Sequence, residues 1–490
     1  MTITPPAIVG AAQRIQRLED PSDAVEPIGL MELALRDAAE DAGAPSLLGA
    51  LDAILVPQGL WKYGDPGRLL AERVGSPGAR TALGAISGHI IQVMVDWACL
   101  EIAAGRAEVV AIVGGESEHS RRRLMRRDIP LHWQEDTEGE PNFRVGNEQF
   151  SMPKPEMEAG VVKPSILFGL AETSLRHSRG ETPEAHRIRI SELSSRMSEV
   201  ASKNPYAWIE RHVSAEEIRT PTPQNRMVTY PYTKLMTSNI AVDQSSAVIV
   251  CSADAAKRHG VPADRAVYLR AATEMNHVAQ MSERQELHRH PGMEIAAQRV
   301  LELGEVATDD LAHVDLYSCF PLAVQAGAAA LGLDETRPLT VTGGLTFSGG
   351  PFANYVLQAK AAMVKLLRAE PGSLGLIGSV GGTFAKFAYG VYSTDPGSRP
   401  GAVVEDVSAE FAALPMRPIL ESFDGEATIE SYVVDVPHDG HTIASFAGLT
   451  SDVHRVWGKS EDPELGAALI AGEDACDRNA DFQSGQVTLR

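Results

Sequence analysis

Cysteine is sparse: Cys99, Cys251, Cys319 and Cys476 are the four in a chain of 490 residues. They stand far apart, with no CxxC pair and no His/Cys spacing of a zinc site, so neither a structural disulfide nor a metal is expected. That usage fits a reducing, cytoplasmic compartment. Positive charge is also short. Lys and Arg number 44 against 65 Asp and Glu, a formal net charge of −21, which disfavours a phosphate backbone as the main partner; no nucleic acid is expected. No run reaches the ~18 apolar residues of a membrane span, and MTITPPAIVGAAQR reads as carrying no leader.

What is present is an ordinary globular composition, 44% apolar and 22% charged, with Gly and Pro spread along the chain. At roughly 150 residues per domain its length suggests two to four units. The first part alternates short apolar runs with helical patterns: AIVGAA, GLMELALRDAAEDAG, AILVP, RLLAERV, TALGA, HIIQVMVDWACLEIAAG and EVVAIVGGE. Such alternation implies a largely parallel sheet covered by helices. In HIIQVMVDWACLEIAAG, Ile90, Ile91, Met94, Val95, Ala98, Cys99 and Ile102 form a broad apolar face at helical spacing, predicting a helix buried between layers.

From about Ser117 the sequence turns charged and irregular, then helical, reading as a loop or cap subdomain. It carries the most basic run, Arg121, Arg122 and Arg123 with Arg126 and Arg127. These arginines read either as a solvated helix face or as a phosphate clamp for a ligand such as coenzyme A. A second alternating set runs from NIAVDQSSAVIVCS to FAYGVYS. Two such halves suggest an internal duplication with little direct identity, layered helices, sheet, shared helices, sheet, helices. Beyond about Ala402, EATIESYVVDV and TIASFAGL have period two, and PHDG between them predicts an Asp-Gly hairpin turn. With the helix pattern DPELGAALIAG and the last run QVTLR, this reads as a small OB-like β-barrel. The expected divisions are residues 1–116 (first half), 117–230 (cap), 231–395 (remainder of the α/β fold) and 402–490 (barrel).

Four stretches carry the candidate chemistry: the elbow TALGAISGHIIQ, VDLYSCFPLAVQ, PLTVTGGLTFSGGPFANY and GSVGGTF. In these the chain resembles the thiolase superfamily, over roughly residues 5–395. It is nearest to sterol-carrier-protein-type thiolases and to thiolase-like proteins of actinobacterial type, some of which have a C-terminal OB-like extension. The resemblance implies a duplicated five-layer αβαβα fold, an acyl-CoA thioester as substrate or ligand, no permanently bound cofactor, and a homodimer through the sheet edge. It also implies catalytic residues at known motif places, and each is replaced. Ala85 stands where the nucleophilic cysteine belongs, Gly350 where the GHP histidine belongs, and Ser379 where the CxGG cysteine belongs. A methyl group cannot attack a thioester, and serine is far too weakly acidic to shuttle a proton unaided.

Tyr317 takes the first place of the HDCF segment, where a hydroxyl could donate to a thioester oxygen. Tyr355, at the head of the next helix, and His89, at the elbow helix, complete the candidate catalytic set; the alternatives are ring packing for Tyr355 and capping for His89. Cys319 reads as a packed thiol. The superfamily includes aldolases of steroid side-chain breakdown that lack the cysteine and cleave β-hydroxyacyl-CoA with tyrosines, beside a separate OB-fold partner protein. A carbon–carbon lyase or another acyl-CoA reaction is thus one expectation, and a non-catalytic acyl-CoA binder or scaffold the other. A serine-hydrolase reading of Gly84-Ala85-Ile86-Ser87-Gly88 is disfavoured, because the serine is one position late for GxSxG and no Asp/His order supports a triad.

Overall fold

The computed structural model of the chain describes residues 5–133, 138–148, 152–398, 401–438 and 440–490. The first half contributes strands β1 (Ala7–Ile15), β2 (Ala53–Pro57), β3 (Arg80–Gly84), β4 (Val109–Ser117) and β5 (Asp243–Cys251), in spatial order β3-β2-β4-β5-β1. β5 runs antiparallel to both of its neighbours. The second half contributes β6 (Val267–Met275), β7 (Leu311–Leu316), β8 (Leu374–Gly381) and β9 (Lys386–Ser393), in order β7-β8-β9-β6 with β9 antiparallel to both neighbours. The two halves therefore share one topology. The missing fifth place is taken by an irregular segment from Leu339, whose carbonyl accepts from Leu316 N at 2.9 Å. A short antiparallel contact, Ala7–Ile8 with Val267–Tyr268, joins the halves into one continuous sheet.

Helices fill the layers as the apolar patterns require. α1 (Pro27–Asp41) covers the outer face of the first half, and Pro291–Gly304 covers that of the second. The elbow helix, α2 (Ile90–Ala103), and α3 (Tyr355–Ala369) lie between the two and pack on strands of both. Their central position explains why even Gln92, Asp96, Gln358 and Lys360 are buried. Lys360 Nζ donates to Gln92 Oε1 at 2.6 Å and to the Tyr392 hydroxyl, the partnering that a buried polar group needs.

The C-terminal strands Gly425–Asp435, Ile443–Leu449, Arg455–Ser460, Asn479–Gln483 and Gln486–Leu489 close into a five-stranded barrel, since the first pairs with both the second and the fourth. The hairpin expected from PHDG is wider than a two-residue turn: Asp435 pairs with Ile443, and residues 436–442 intervene. Asp439 of that stretch lies outside the described residues. Val403–Asp406 pairs with β6 of the large sheet and not with the barrel, whereas Met227–Tyr230 of the cap extends the barrel sheet beside Val434 and Asp435. The barrel rests on the cap helix Pro164–Ser178, where Ser431 Oγ donates to Leu170 O at 2.6 Å and Arg176 pairs with Asp474 at 2.6 Å.

The outer edge of β3 is closed from within the chain. Phe143–Val145 runs parallel to it, matching Ala82–Gly84. Arg144 in that strand, flanked by Glu140 and Glu148 at 3.6 and 3.7 Å, makes the new edge short and charged, features that discourage further strand pairing. Among the described residues no helix is long and apolar enough to cross a membrane.

Candidate functional site

β3 ends at Gly84, and α2 begins at Ile90, so residues 85–89 form the elbow. Ala85 is buried, its N–H donating to Val145 O at 2.9 Å, while the next side chain, Ile86, is 63% exposed. Ile86, Ser87 and Gly88 line a cavity of about 650 Å³. The lining continues with Tyr317, Cys319 and Phe320 just past the end of β7, and with Val380, Gly381 and Gly382 at the end of β8. Phe168 of the cap helix completes the apolar side, stacked on Phe320 at 4.7 Å. A smaller cavity of about 160 Å³ shares Ile86, Ser87, Gly88 and Tyr317 and adds Gly350, Phe352 and Ala353. All four stretches thus meet at one place, where strand ends converge.

Close backbone approach explains the glycines. A β-carbon on Gly88 would lie 2.5 Å from the Tyr317 hydroxyl, and one on Gly381 would lie 1.9 Å from Ser87 Oγ. Phe352, Thr383 and Phe384, none of them glycine, take left-handed φ of 48°, 57° and 63° at the cavity walls, strain of the kind that surrounding contacts must hold. Arg284 supplies part of that hold: it is buried, lies over the Phe384 ring at 5.4 Å and donates to Phe384 O at 2.8 Å.

The sequence-derived candidates divide into three groups. Tyr317 faces both cavities, and its hydroxyl has no hydrogen-bond partner among the described residues. Burial pushes its phenol far up, with Cys319 nearby adding to the shift, so it is a neutral donor at physiological pH. Cys319 also faces the larger cavity, and burial pushes its thiol up to about 12, keeping it protonated.

A second group sits behind this surface. His89 is fully buried and reaches the cavity only through Ser87, whose Oγ is 2.6 Å from His89 Nδ1. Tyr355 stacks edge-on against Tyr317 at 5.7 Å, but its hydroxyl is spent 2.7 Å from Thr342 Oγ1 and 3.1 Å from Asp315 Oδ1. Asp315 is buried, which pushes its carboxyl up to about 6 against the bonds from Val341, Thr340 and Tyr355. Ser379 Oγ donates to Ala388 O at 2.8 Å and lines neither cavity, because alternation along β8 turns Val380 inward instead.

The arginines form the third group. Arg121 pairs with Glu118 at 3.5 Å and lies over Trp133; Arg122 pairs with the same carboxylate at 2.6 Å; Arg123 donates to the carbonyls of Leu18 and Glu19. None lines either cavity. The cation at the larger cavity is Lys386, which donates to Asn147 O and stands with Glu148 among the lining residues.

Beneath Phe320 lies a polar support. Tyr232 packs on Phe320 at 5.3 Å and donates to Glu172 at 2.6 Å; His186 bridges Glu172 at 2.9 Å and Glu181 at 2.8 Å. Burial opposes the charged His186, but the two carboxylates outweigh it and hold its pKa above the ordinary 6.5. His186 therefore stabilises the folded protein fully below about pH 6.5, and loses that contribution as pH rises through the higher folded value. Thermal melts of the native chain and His186→Gln should differ most near pH 5.5 and converge toward pH 9; a constant difference in Tm would refute the assignment.

No protein-family model and no curated protein matches the chain. Among solved structures, a monomeric SCP2-thiolase-like protein type 1 from Mycobacterium smegmatis is similar along 99% of this chain and 98% of its own, with 28% identity and a TM-score of 0.83. The chain belongs to the thiolase superfamily. The Ltp2-ChsH2(DUF35) aldolase shares the fold at 17% identity and a TM-score of 0.60, over 81% of this chain and all of that one. Human mitochondrial 3-ketoacyl-CoA thiolase in complex with CoA does so at 17% identity and 0.56, over 80% of this chain and 99% of that one.

Ser87, disfavoured from the sequence because it stands one position late for GxSxG, lines the cavity and lies 2.6 Å from His89 Nδ1. Its neighbour His89 was visible two positions along, but Asn276, 2.9 Å from His89 Nε2, arrives from the other half.

Proposed function

We propose that this chain binds an acyl-CoA thioester in the 650 Å³ cavity and acts on it without a cysteine nucleophile. The carrying observation is Tyr317: a neutral, unpartnered hydroxyl on an otherwise largely apolar wall, at the junction of the four motif stretches. A buried donor of this kind fits a thioester carbonyl oxygen and gains strength as negative charge develops there. A carbon–carbon lyase on a β-hydroxyacyl-CoA needs that donor and a base, and no nucleophile. The β-hydroxyl proton would pass through Ser87 to His89, the Cα–Cβ bond would break, and Tyr317 would hold the enolate oxygen until Cα is protonated. An aldehyde or ketone and a shorter acyl-CoA would leave.

Tyr355 is a positioning residue in this reading: it braces the Tyr317 ring and does not touch substrate. The arginine run is left out of the ligand site, since all three side chains are engaged elsewhere. The reading is also of a monomer, because Phe143–Val145 covers the β3 edge and the M. smegmatis protein is itself monomeric. A second reading, a binder without turnover, is favoured by Gly350 and by the inward-tied Ser379.

Incubation of the full chain with acetoacetyl-CoA and with a β-hydroxyacyl-CoA tests these readings. Carbonyl release from the second alone supports the lyase. Thiolysis of acetoacetyl-CoA overturns the cysteine-free reading, and binding of both without turnover favours the binder.

A further inference from the structure

Ser87, His89 and Asn276 form a connected chain from the cavity into the core. Ser87 lines both cavities, its Oγ lies 2.6 Å from His89 Nδ1, and His89 Nε2 lies 2.9 Å from Asn276 Oδ1. Asn276 Nδ2 donates to Glu274 Oε2 at 3.1 Å, so its Oδ1 is the acceptor toward His89. His89 Nε2 accordingly carries the proton, Nδ1 is a lone pair, and the Ser87 hydroxyl donates to it. Burial lowers His89 to about 4, which leaves the imidazole neutral at physiological pH, with the Nδ1 lone pair facing Ser87 Oγ. Asn276 is itself fixed, its N–H donating to Ser408 Oγ at 2.7 Å. A β-carbon on Gly381 would come within 2.7 Å of His89 Nδ1 as well as onto Ser87 Oγ, so glycine there gives this pair its room. Nucleophile, neutral base and orienting amide are the three parts of an acyl-transfer triad, which recurs on unrelated folds with Asn in the third place.

We propose that Ser87 is a covalent acyl acceptor, and that the chain hydrolyses acyl-CoA thioesters lacking a β-hydroxyl through a Ser87–His89–Asn276 triad. The proposal rests on the thioester-binding part of the reading above and not on lyase chemistry. Ser87 Oγ bonds to the thioester carbonyl carbon as its proton moves to His89 Nδ1, and Tyr317 donates to the resulting oxyanion. Collapse breaks the C–S bond, and the proton on Nδ1 goes to the departing CoA sulfur, leaving an ester on Ser87. Water then gives a proton to His89 and bonds to the ester carbon; the C–O bond to Ser87 breaks, Ser87 regains the proton, and a carboxylic acid leaves. The sum is acyl-CoA plus water to acid plus CoA.

Octanoyl-CoA, its non-cleavable octyl-CoA thioether and a fluorophosphonate serve as probes with the full chain. Mass spectrometry should find an octanoyl ester and the fluorophosphonate adduct on Ser87, with free CoA released. Ser87→Ala should lose both adducts and CoA release while still binding octyl-CoA, and His89→Gln should slow acylation by about 100-fold. Octyl-CoA binding with no adduct and no CoA release overturns the triad and leaves the thioester-binding reading standing. Undiminished release by Ser87→Ala, or an adduct on Cys319, overturns the triad also. Absence of octyl-CoA binding overturns both together.

Discussion

Arg455→Ala should destabilise the protein by about 3–5 kcal/mol, the usual cost of removing one partner from a buried ion pair. Arg455 is buried in the barrel, with a bidentate pair to Glu430 at 2.7 and 2.8 Å. Its remaining donors reach across to the large domain, meeting the carbonyls of Met281 and Arg284 at 2.6 Å each. Truncation leaves a half-buried carboxylate and two buried carbonyls without their donor, which is why the loss exceeds that of a surface pair. Arg455→Lys should recover only part of it, because an ammonium cannot make the fork. Denaturant unfolding and limited proteolysis check this: the variant should release a C-terminal fragment at protease concentrations that leave the native chain whole. Native-like stability in Arg455→Ala would show that the barrel is held by apolar contact alone.

The same substitution should reach the cavity. The segment bonded by Arg455 includes Arg284, whose Nη2 holds the Phe384 carbonyl at 2.8 Å, and Phe384 is a cavity wall in a left-handed conformation. The Trp457 indole adds a second strut, donating to Ser282 Oγ at 2.9 Å. The barrel therefore braces the Phe384 wall of the cavity, and ligand affinity should fall along with stability.

Tyr317→Phe should cut turnover by about 10²–10³-fold, or about 2.7–4 kcal/mol, the effect of losing one oxyanion donor. The ring and its packing on Tyr355 persist in phenylalanine, and the lost hydroxyl had no internal partner, so stability should change little. Binding of a thioether analogue should also change little, since it offers no carbonyl oxygen. Steady-state kinetics with titration calorimetry separate these effects. An unchanged kcat would remove Tyr317 from the chemistry, and a parallel loss of analogue affinity would make it a packing residue.

Much of this was legible in the residues. Alternation marked the α/β halves, and the apolar face of the elbow helix marked the middle layer. Period two marked the barrel. Gly88 and Gly381 belong to the motif stretches, and only glycine allows backbone and Tyr317, or backbone and Ser87, to lie so close. Less legible was which neighbour of each motif faces inward. On β8 one step of alternation separates Val380 in the wall from Ser379 tied to Ala388. On α3 the Tyr355 hydroxyl satisfies Asp315, a buried carboxylate with its own need for donors. The arginine run read either as a solvated helix face or as a phosphate clamp, and Glu118, Leu18 and Glu19 hold it away from the cavity.

The sequence by itself determined the repeated strand-and-helix pattern and the barrel, since periodicity is a local property, and it places alanine at 85 and glycine at 350, side chains that supply neither nucleophile nor base. Only the tertiary structure decided that Ser87 meets His89 and that Asn276, 187 positions from that histidine, completes the line. It also decided that Phe143–Val145 closes the sheet edge and that Arg455 locks the barrel beneath the cavity wall. Hydrogen bonds and strand pairing act over about 3–5 Å in space whatever the separation along the chain, so the partners become visible only once the two halves pack.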